Sequence, residues 1–321
     1  MTLFNITTRY IGCLGMSQVY SLIKRTTLVL ATCCALTAQA FAVTIDHYKG
    51  TVEFKETPKR VVVLGNGSLD VLDRIGIQPI GAPHGLLPPY LSQYKESTSN
   101  TGSVSEPDFE AIYMLKPDVI IAENRMLRVY DELNQIAPTV MFYVDNGQYW
   151  KDSQANWRML GQLFDKENEV EALITETQSQ FTATADHVQK DHLNALMVMN
   201  NGNNVAMFNK GSRFSIIFDD FKFTESSSQN VAAVEGSHGN LISFEYIADA
   251  KPEVIFILDR EQAIGRSVGK AKEMFNNPLV DSTPAAQNKK VVFIDPNAWY
   301  LSGGGVTATQ TMISDINSAL N

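Results

Sequence analysis

Three arginines, a histidine and a tyrosine stand in loops beside short apolar runs, where side chains are free to do chemistry. Arg125 lies in Glu123-Asn-Arg-Met126 after one such run, and Arg260 lies in Leu258-Asp-Arg-Glu261 after another. Arg213 sits in a glycine turn, Lys210-Gly-Ser-Arg-Phe214. A guanidinium is always charged and offers forked donors to paired oxygens, so three converging on one cleft suit a compact polyanion. Each also has an ordinary reading as a surface ion pair, and Arg260 has Asp259 and Glu261 beside it. His238, in Glu235-Gly-Ser-His-Gly-Asn240, and Tyr300, in Asn297-Ala-Trp-Tyr-Leu-Ser-Gly-Gly-Gly305, follow the pattern of loops at the carboxyl ends of strands. That is where open α/β sheets bind ligands. A loop histidine equally caps a following helix, and a tyrosine beside Trp299 equally packs in a core, so spacing alone leaves both alternatives open.

The elements that must position these residues come as a repeat. Asp108-Phe-Glu-Ala-Ile-Tyr-Met-Leu-Lys-Pro-Asp-Val-Ile-Ile121 overlays Ser243-Phe-Glu-Tyr-Ile-Ala-Asp-Ala-Lys-Pro-Glu-Val-Ile-Phe256 at an offset of 135. Each copy starts at an N-cap residue, runs two helical turns, stops at proline and enters a β-branched run that reads as a buried strand. Glu110 and Glu245 occupy the third position of the two copies, where a carboxylate suits the positive helix end. Further strands are expected at Arg60-Val-Val-Val-Leu64, before a Gly65-Asn-Gly67 turn and a helix through Ile75, at Leu193–Met199 and at Lys290–Ile294. Apolar runs alternating with helices predict parallel sheets covered on both faces. Between the halves, one helix spans 152–163. A second spans 167 to about 189 without Pro or Gly, long enough to act as a strut between lobes. The Gly303-Gly-Gly305 run is expected to cap a C-terminal helix over 306–320.

Composition excludes several classes. The 321 residues carry 26 Lys plus Arg against 35 Asp plus Glu, a formal charge of −9, with no basic run for a nucleic-acid partner. Residues 1–42 read as a cleaved signal peptide: Lys24-Arg25, an apolar stretch to Leu36, then Ala40-Phe-Ala42. The apolar stretch is too short for a membrane span, and no second one follows, which excludes a polytopic membrane protein. Met16 is an alternative start, and Leu30-Ala-Thr-Cys33 is a poor lipoprotein site. Removing residues 1–42 takes away Arg9, Lys24, Arg25 and all three cysteines, leaving 23 basic against 35 acidic residues and a charge of −12. Such a chain has no disulfide, zinc–thiolate cluster or cysteine nucleophile. Ser68 with Asp70 does not sit in a Gly-x-Ser-x-Gly elbow, so the pair gives no support to a secreted hydrolase.

Across residues 43–321 the sequence resembles the substrate-binding proteins of bacterial ABC importers whose lobes are bridged by one long helix. The likeness includes Pro58-Lys-Arg-Val-Val-Val-Leu64, Leu72-Asp-Arg-Ile-Gly76, Glu110–Asp118 and Ala286-Gln-Asn-Lys-Lys-Val-Val-Phe-Ile-Asp-Pro296. Within that class it is most similar to the binding proteins for ferric catecholate siderophores of the enterobactin and vibriobactin type. The resemblance implies a fold of two Rossmann-like α/β lobes, at 43–165 and 191–321, joined by an interlobe helix at 166–190. It implies a periplasmic, monomeric, non-enzymatic binding protein with no intrinsic cofactor, whose ligand is the Fe(III)–catecholate complex. Fe(III) is a hard ion that takes six oxygen donors, so three catechols saturate it and two leave open positions. The family pattern puts metal-completing side chains at His238 and Tyr300, and glutamates that dock on the permease at Glu110 and Glu245. Arg125, Arg213 and Arg260 would grip the anionic complex. Haem or cobalamin capture is the alternative within the class, but three cleft arginines favour a compact polyanion over a flat macrocycle.

Overall fold

A computed structural model describes residues 42–226 and 239–320 of the chain. It opens with an antiparallel hairpin of β1 (Val43–His47) and β2 (Gly50–Phe54). The first lobe is then built around a five-stranded sheet. Its elements in chain order are β3 (Val61–Val63), helix α1 (Asn66–Arg74), β4 (Gly81–Ala82), β5 (Ser99–Asn100), α2 (Phe109–Met114), β6 (Val119–Glu123), α3 (Tyr130–Ile136) and β7 (Thr139–Phe142). The strand order is β5-β4-β3-β6-β7, and every pair is parallel. Val61, Val62 and Val63 are all buried, as expected of a strand covered on both faces. The order reverses between β3 and β6, so the loops after these strands open at a topological switch point.

Two helices follow, α4 (Tyr149–Leu163) and α5 (Glu167–Lys190). The 24 residues of α5 span about 36 Å at 1.5 Å per residue. Val170, Ile174, Thr177, Phe181, Thr184 and Val188 line its buried stripe at helical spacing. Glu167 and Glu169 in its first turn and Lys190 in its last complement the helix dipole. Among the described residues, no helix is long and apolar enough to cross a membrane.

The second lobe contains β8 (Asn194–Asn201), β9 (Asn204–Phe208), β10 (Thr224–Glu225), β11 (Asn240–Ile242), α6 (Phe244–Ala250), β12 (Val254–Asp259), α7 (Arg260–Ala263), β13 (Val291–Ile294) and α8 (Val306–Ser318). The sheet runs β11-β9-β8-β12-β13, with β10 beside β8. The expectation of purely parallel sheets needs correction here, because β9 and β11 pair antiparallel. Only Gly202 and Asn203 join β8 to β9, with Gly202 at φ +62°, and so short a turn returns the chain as a hairpin rather than through a crossover. β8, β12 and β13 keep the parallel pairing.

The sequence repeat is a structural repeat. Asp108 and Ser243 both cap their helices through the side chain, accepting from the N–H groups of Ala111 and Tyr246. Lys116 and Lys251, each just before the proline, share a left-handed φ of +47°. The same local signals therefore end both helices and aim both following strands.

The glycine run 303–305 does not cap α8 by itself. Gly305 holds the N-cap position without a side chain, and the cap comes from Asp70 on α1. Its Oδ1 accepts from the N–H of Thr307 at 3.2 Å and its Oδ2 from that of Ala308 at 2.9 Å. A Cβ on Gly305 would lie 2.4 Å from Asp70 Oδ2, and one on Gly67 would lie 2.4 Å from the Gly303 carbonyl oxygen. Small residues are needed here because α1 and the 302–305 segment meet backbone to backbone. Gly65 has a parallel role: a Cβ there would collide with the Glu123 carboxyl group.

Candidate functional site

Three arginines meet at one tyrosine. Tyr300 lies in a π-helical turn, Asn297–Leu301, directly after β13. The turn is fixed by its neighbour Trp299, which is buried and donates its indole N–H to Asp315 Oδ2 on α8 at 2.8 Å. The same oxygen accepts from the N–H of Asp295 at 2.8 Å. With Trp299 turned inward, Tyr300 is left half-buried at the cleft.

Arg125 follows β6 and donates from Nη2 to the Tyr300 carbonyl oxygen at 3.0 Å. Arg213 donates to the same oxygen at 3.2 Å. Arg260 follows β12 and donates from Nε to the Tyr300 hydroxyl at 3.1 Å. The guanidinium carbons lie 5.4, 4.4 and 5.9 Å from the ring centroid for Arg125, Arg213 and Arg260 respectively, within cation–π range. Arg125 and Arg260 are separated by the repeat offset of 135 residues, so equivalent strand ends of the two lobes supply them.

The electrostatics are those of an anion site. Arg260 has one carboxylate nearby, Glu261 at 3.7 Å, and its Nη1 donates to Asn201 Oδ1. Arg213 has no ion-pair partner among the described residues. Burial, together with the charges of Arg125 and Arg260, pulls the Arg213 guanidinium down to about 10, against the support it draws from Tyr300. Burial pushes the Tyr300 phenol up, but the Arg260 hydrogen bond and the charges of Arg213, Arg260 and Arg125 outweigh it, and the net shift is downward. A lowered phenol is a better hard-oxygen donor, and crowded guanidiniums are stabilised by a bound anion.

Arg125, Arg213 and Tyr300 line a cleft cavity of about 350 Å³ together with Glu123, Asn124, Asp145, Tyr149 and Ser215, and Arg260 joins them through its bond to the Tyr300 hydroxyl. Across the cleft, a Cβ on Gly147 would touch Gly211 Cα at 3.5 Å, so the loops carrying Asp145 and Arg213 approach each other. Glu123 is held at the start of α1, its Oε1 accepting from Ser68 N at 2.6 Å and Ser68 Oγ at 2.7 Å. A larger hollow, about 560 Å³, lies elsewhere in the second lobe, lined by Leu241, Phe244, Glu245 and Met274 and by no arginine.

Of the residues singled out in the sequence, Arg125, Arg213, Arg260 and Tyr300 come together. His238 lies outside the described residues. Glu110 and Glu245 are exposed on α2 and α6, away from this cavity's lining. Asp145 escaped notice, although the signal was available: Tyr143-Val-Asp-Asn-Gly147 follows β7 in the same manner that the Arg125 loop follows β6.

Two α/β lobes, a long connecting helix and a charged cleft between strand ends define a bilobal binding protein. The periplasmic binding protein family model matches residues 61–298, and the chain belongs to that family. It is 34% identical over 283 residues to the petrobactin-binding protein YclQ of Bacillus subtilis, covering 87% of this chain and 88% of the other. It is 31% identical over 288 residues to the ferric-anguibactin-binding protein FatB of Vibrio anguillarum, covering 85% of this chain and 86% of the other. The crystal structure of the periplasmic catecholate-siderophore binding protein VctP from Vibrio cholerae superposes with a TM-score of 0.82 at 39% identity, over 86% of this chain and 99% of that one. The family is one of transport binding proteins, so the chain is a binding protein and not an enzyme.

Proposed function

We propose that this protein captures a ferric siderophore of the catecholate type in the cleft between its lobes and delivers it to an ABC permease. The observation that carries the reading is the convergence of Arg125, Arg213 and Arg260 on Tyr300, which lines one cavity with the first two of them. A ferric catecholate complex is a compact, oxygen-coated polyanion, and forked donors suit its paired oxygens. Relatives whose names specify ferric or catecholate siderophores support the same cargo. Tyr300 is the protein oxygen that completes the iron shell when the chelator leaves positions open, with His238 as its partner from the sequence pattern.

Glu110 and Glu245 serve as the permease-docking carboxylates, one on each lobe. Their exposure supports this, as does the company of Tyr113 and Met114, exposed by 66% and 69% on the helix of Glu110. Apolar groups exposed beside a charge are typical of a surface that is covered in a complex. Export after cleavage of residues 1–42, action as a monomer in the periplasm, and a division at 43–165, 166–190 and 191–321 complete the proposal.

The test is a tryptophan-fluorescence titration against ferric enterobactin, a ferric bis-catecholate, ferrichrome, haem and cobalamin. Saturable quenching by the catecholates alone is expected. Tighter binding of haem, cobalamin or ferrichrome refutes the cargo assignment.

A further inference from the structure

The cavity lined by Arg125, Arg213 and Tyr300 also carries two carboxylates, and they are not equivalent. Glu123 is committed to Ser68 at the positive end of α1. Asp145, in the loop after β7, is exposed, and its Oδ1 accepts from the N–H of Asn146 at 2.9 Å. No lysine or arginine pairs with it among the described residues. Its own N–H donates to Asp152 Oδ2 at 2.8 Å, which brings a second carboxylate close. An anion lodged among the arginines therefore meets a repulsive charge on one side, unless it brings a positive group there.

There is room for such a group. Asp145 also lines a neighbouring groove of about 400 Å³ between the β1–β2 hairpin and α4. In that groove Tyr48 stacks on Tyr143 with ring centroids 3.8 Å apart. An arm leaving the arginine cavity past Asp145 thus enters a groove lined by Asp46, Asp152 and this tyrosine pair, where Lys151 is held by Gln148 Oε1 at 2.7 Å.

We propose that Asp145 is a specificity-determining residue: it selects ferric chelates whose linker carries a protonated amine or imidazolium beside the iron-binding oxygens. The proposal rests on the siderophore reading and narrows it to zwitterionic cargo. Arginines hold the anionic iron centre, and Asp145 reads the cationic arm.

The test uses two ferric bis-catecholates that share one linker, with its secondary amine either free and protonated or acetylated and neutral. Wild-type protein should prefer the free amine by up to about fivefold, the scale of an exposed charge pair, and lower salt should enlarge the preference. Asp145→Asn should reduce that preference below about twofold, while Asp145→Glu should restore it. Equal binding of both ligands by the wild type, or a preference that survives Asp145→Asn, overturns the proposal. Failure of the wild type to bind either ligand overturns the siderophore reading itself.

Discussion

Replacing Tyr300 with Phe separates iron coordination from simple charge attraction. The substitution keeps the ring that the guanidiniums face, and it keeps the backbone carbonyl oxygen that holds Arg125 and Arg213. It removes only the hydroxyl that accepts from Arg260 Nε at 3.1 Å. A bis-catecholate leaves iron positions that this oxygen fills. A hydrogen bond to a charged group contributes about 1.5–3 kcal/mol, and taking that as a floor for an iron–phenolate bond gives a loss of about 10- to 150-fold in affinity. A tris-catecholate has no open position, so it loses only an outer contact of about 0.5–1.5 kcal/mol, or about 2- to 10-fold. Fluorescence titration reads both, because the buried Trp299 adjoins residue 300, and Trp157 donates to the Gly304 carbonyl oxygen at 2.6 Å. Absorbance of the bound complex supplies a second signal, since losing a phenolate donor shifts the iron charge-transfer band. Losses for the two ligands within about twofold of each other would show that the hydroxyl does not coordinate iron, and the reasoning would fail.

Two further outcomes are expected. Burial pushes Asp70 from 3.8 up to about 6, against its hydrogen bonds from Ala308 and Thr307. Between about pH 4 and 6 the folded protein retains a proton that the unfolded chain has released, so stability falls as pH rises through that window, by about 3 kcal/mol from this group. Asp70→Asn should remove that slope, and urea unfolding at a series of pH values would show parallel curves if the assignment is wrong. In the second, Glu110→Arg with Glu245→Arg should abolish uptake of ferric siderophore by cells while leaving affinity for the ligand unchanged. A fall in affinity measured on the purified variant would tie these carboxylates to the cleft instead of the permease.

Local signals made much of this legible in the sequence. The repeat at 108–121 and 243–256, with its capped helix, left-handed lysine, proline and buried strand, encodes both halves by rules that act within a few residues. The same reasoning located α5 from the absence of helix breakers and a regular apolar stripe. Arg125 and Arg260 could be matched because equal offsets from equivalent strands put them at equivalent loop ends.

Contacts between distant segments were invisible. Nothing near Asp70 in the sequence shows that it caps a helix more than two hundred residues later, or that Gly67 and Gly305 must be small to let α1 approach the 302–305 segment. The antiparallel β9 follows from a two-residue turn whose neighbours read equally well as another α/β crossing. Arg213 reaches the cleft from the glycine turn after that strand, and Asp145 acquires its meaning only from the cations it faces. The amino-acid order determined the elements and which residues carry charge, because helix caps, turns and periodicity are short-range. Only the tertiary structure decided which charges share a cavity, because that depends on where separate strands end in space.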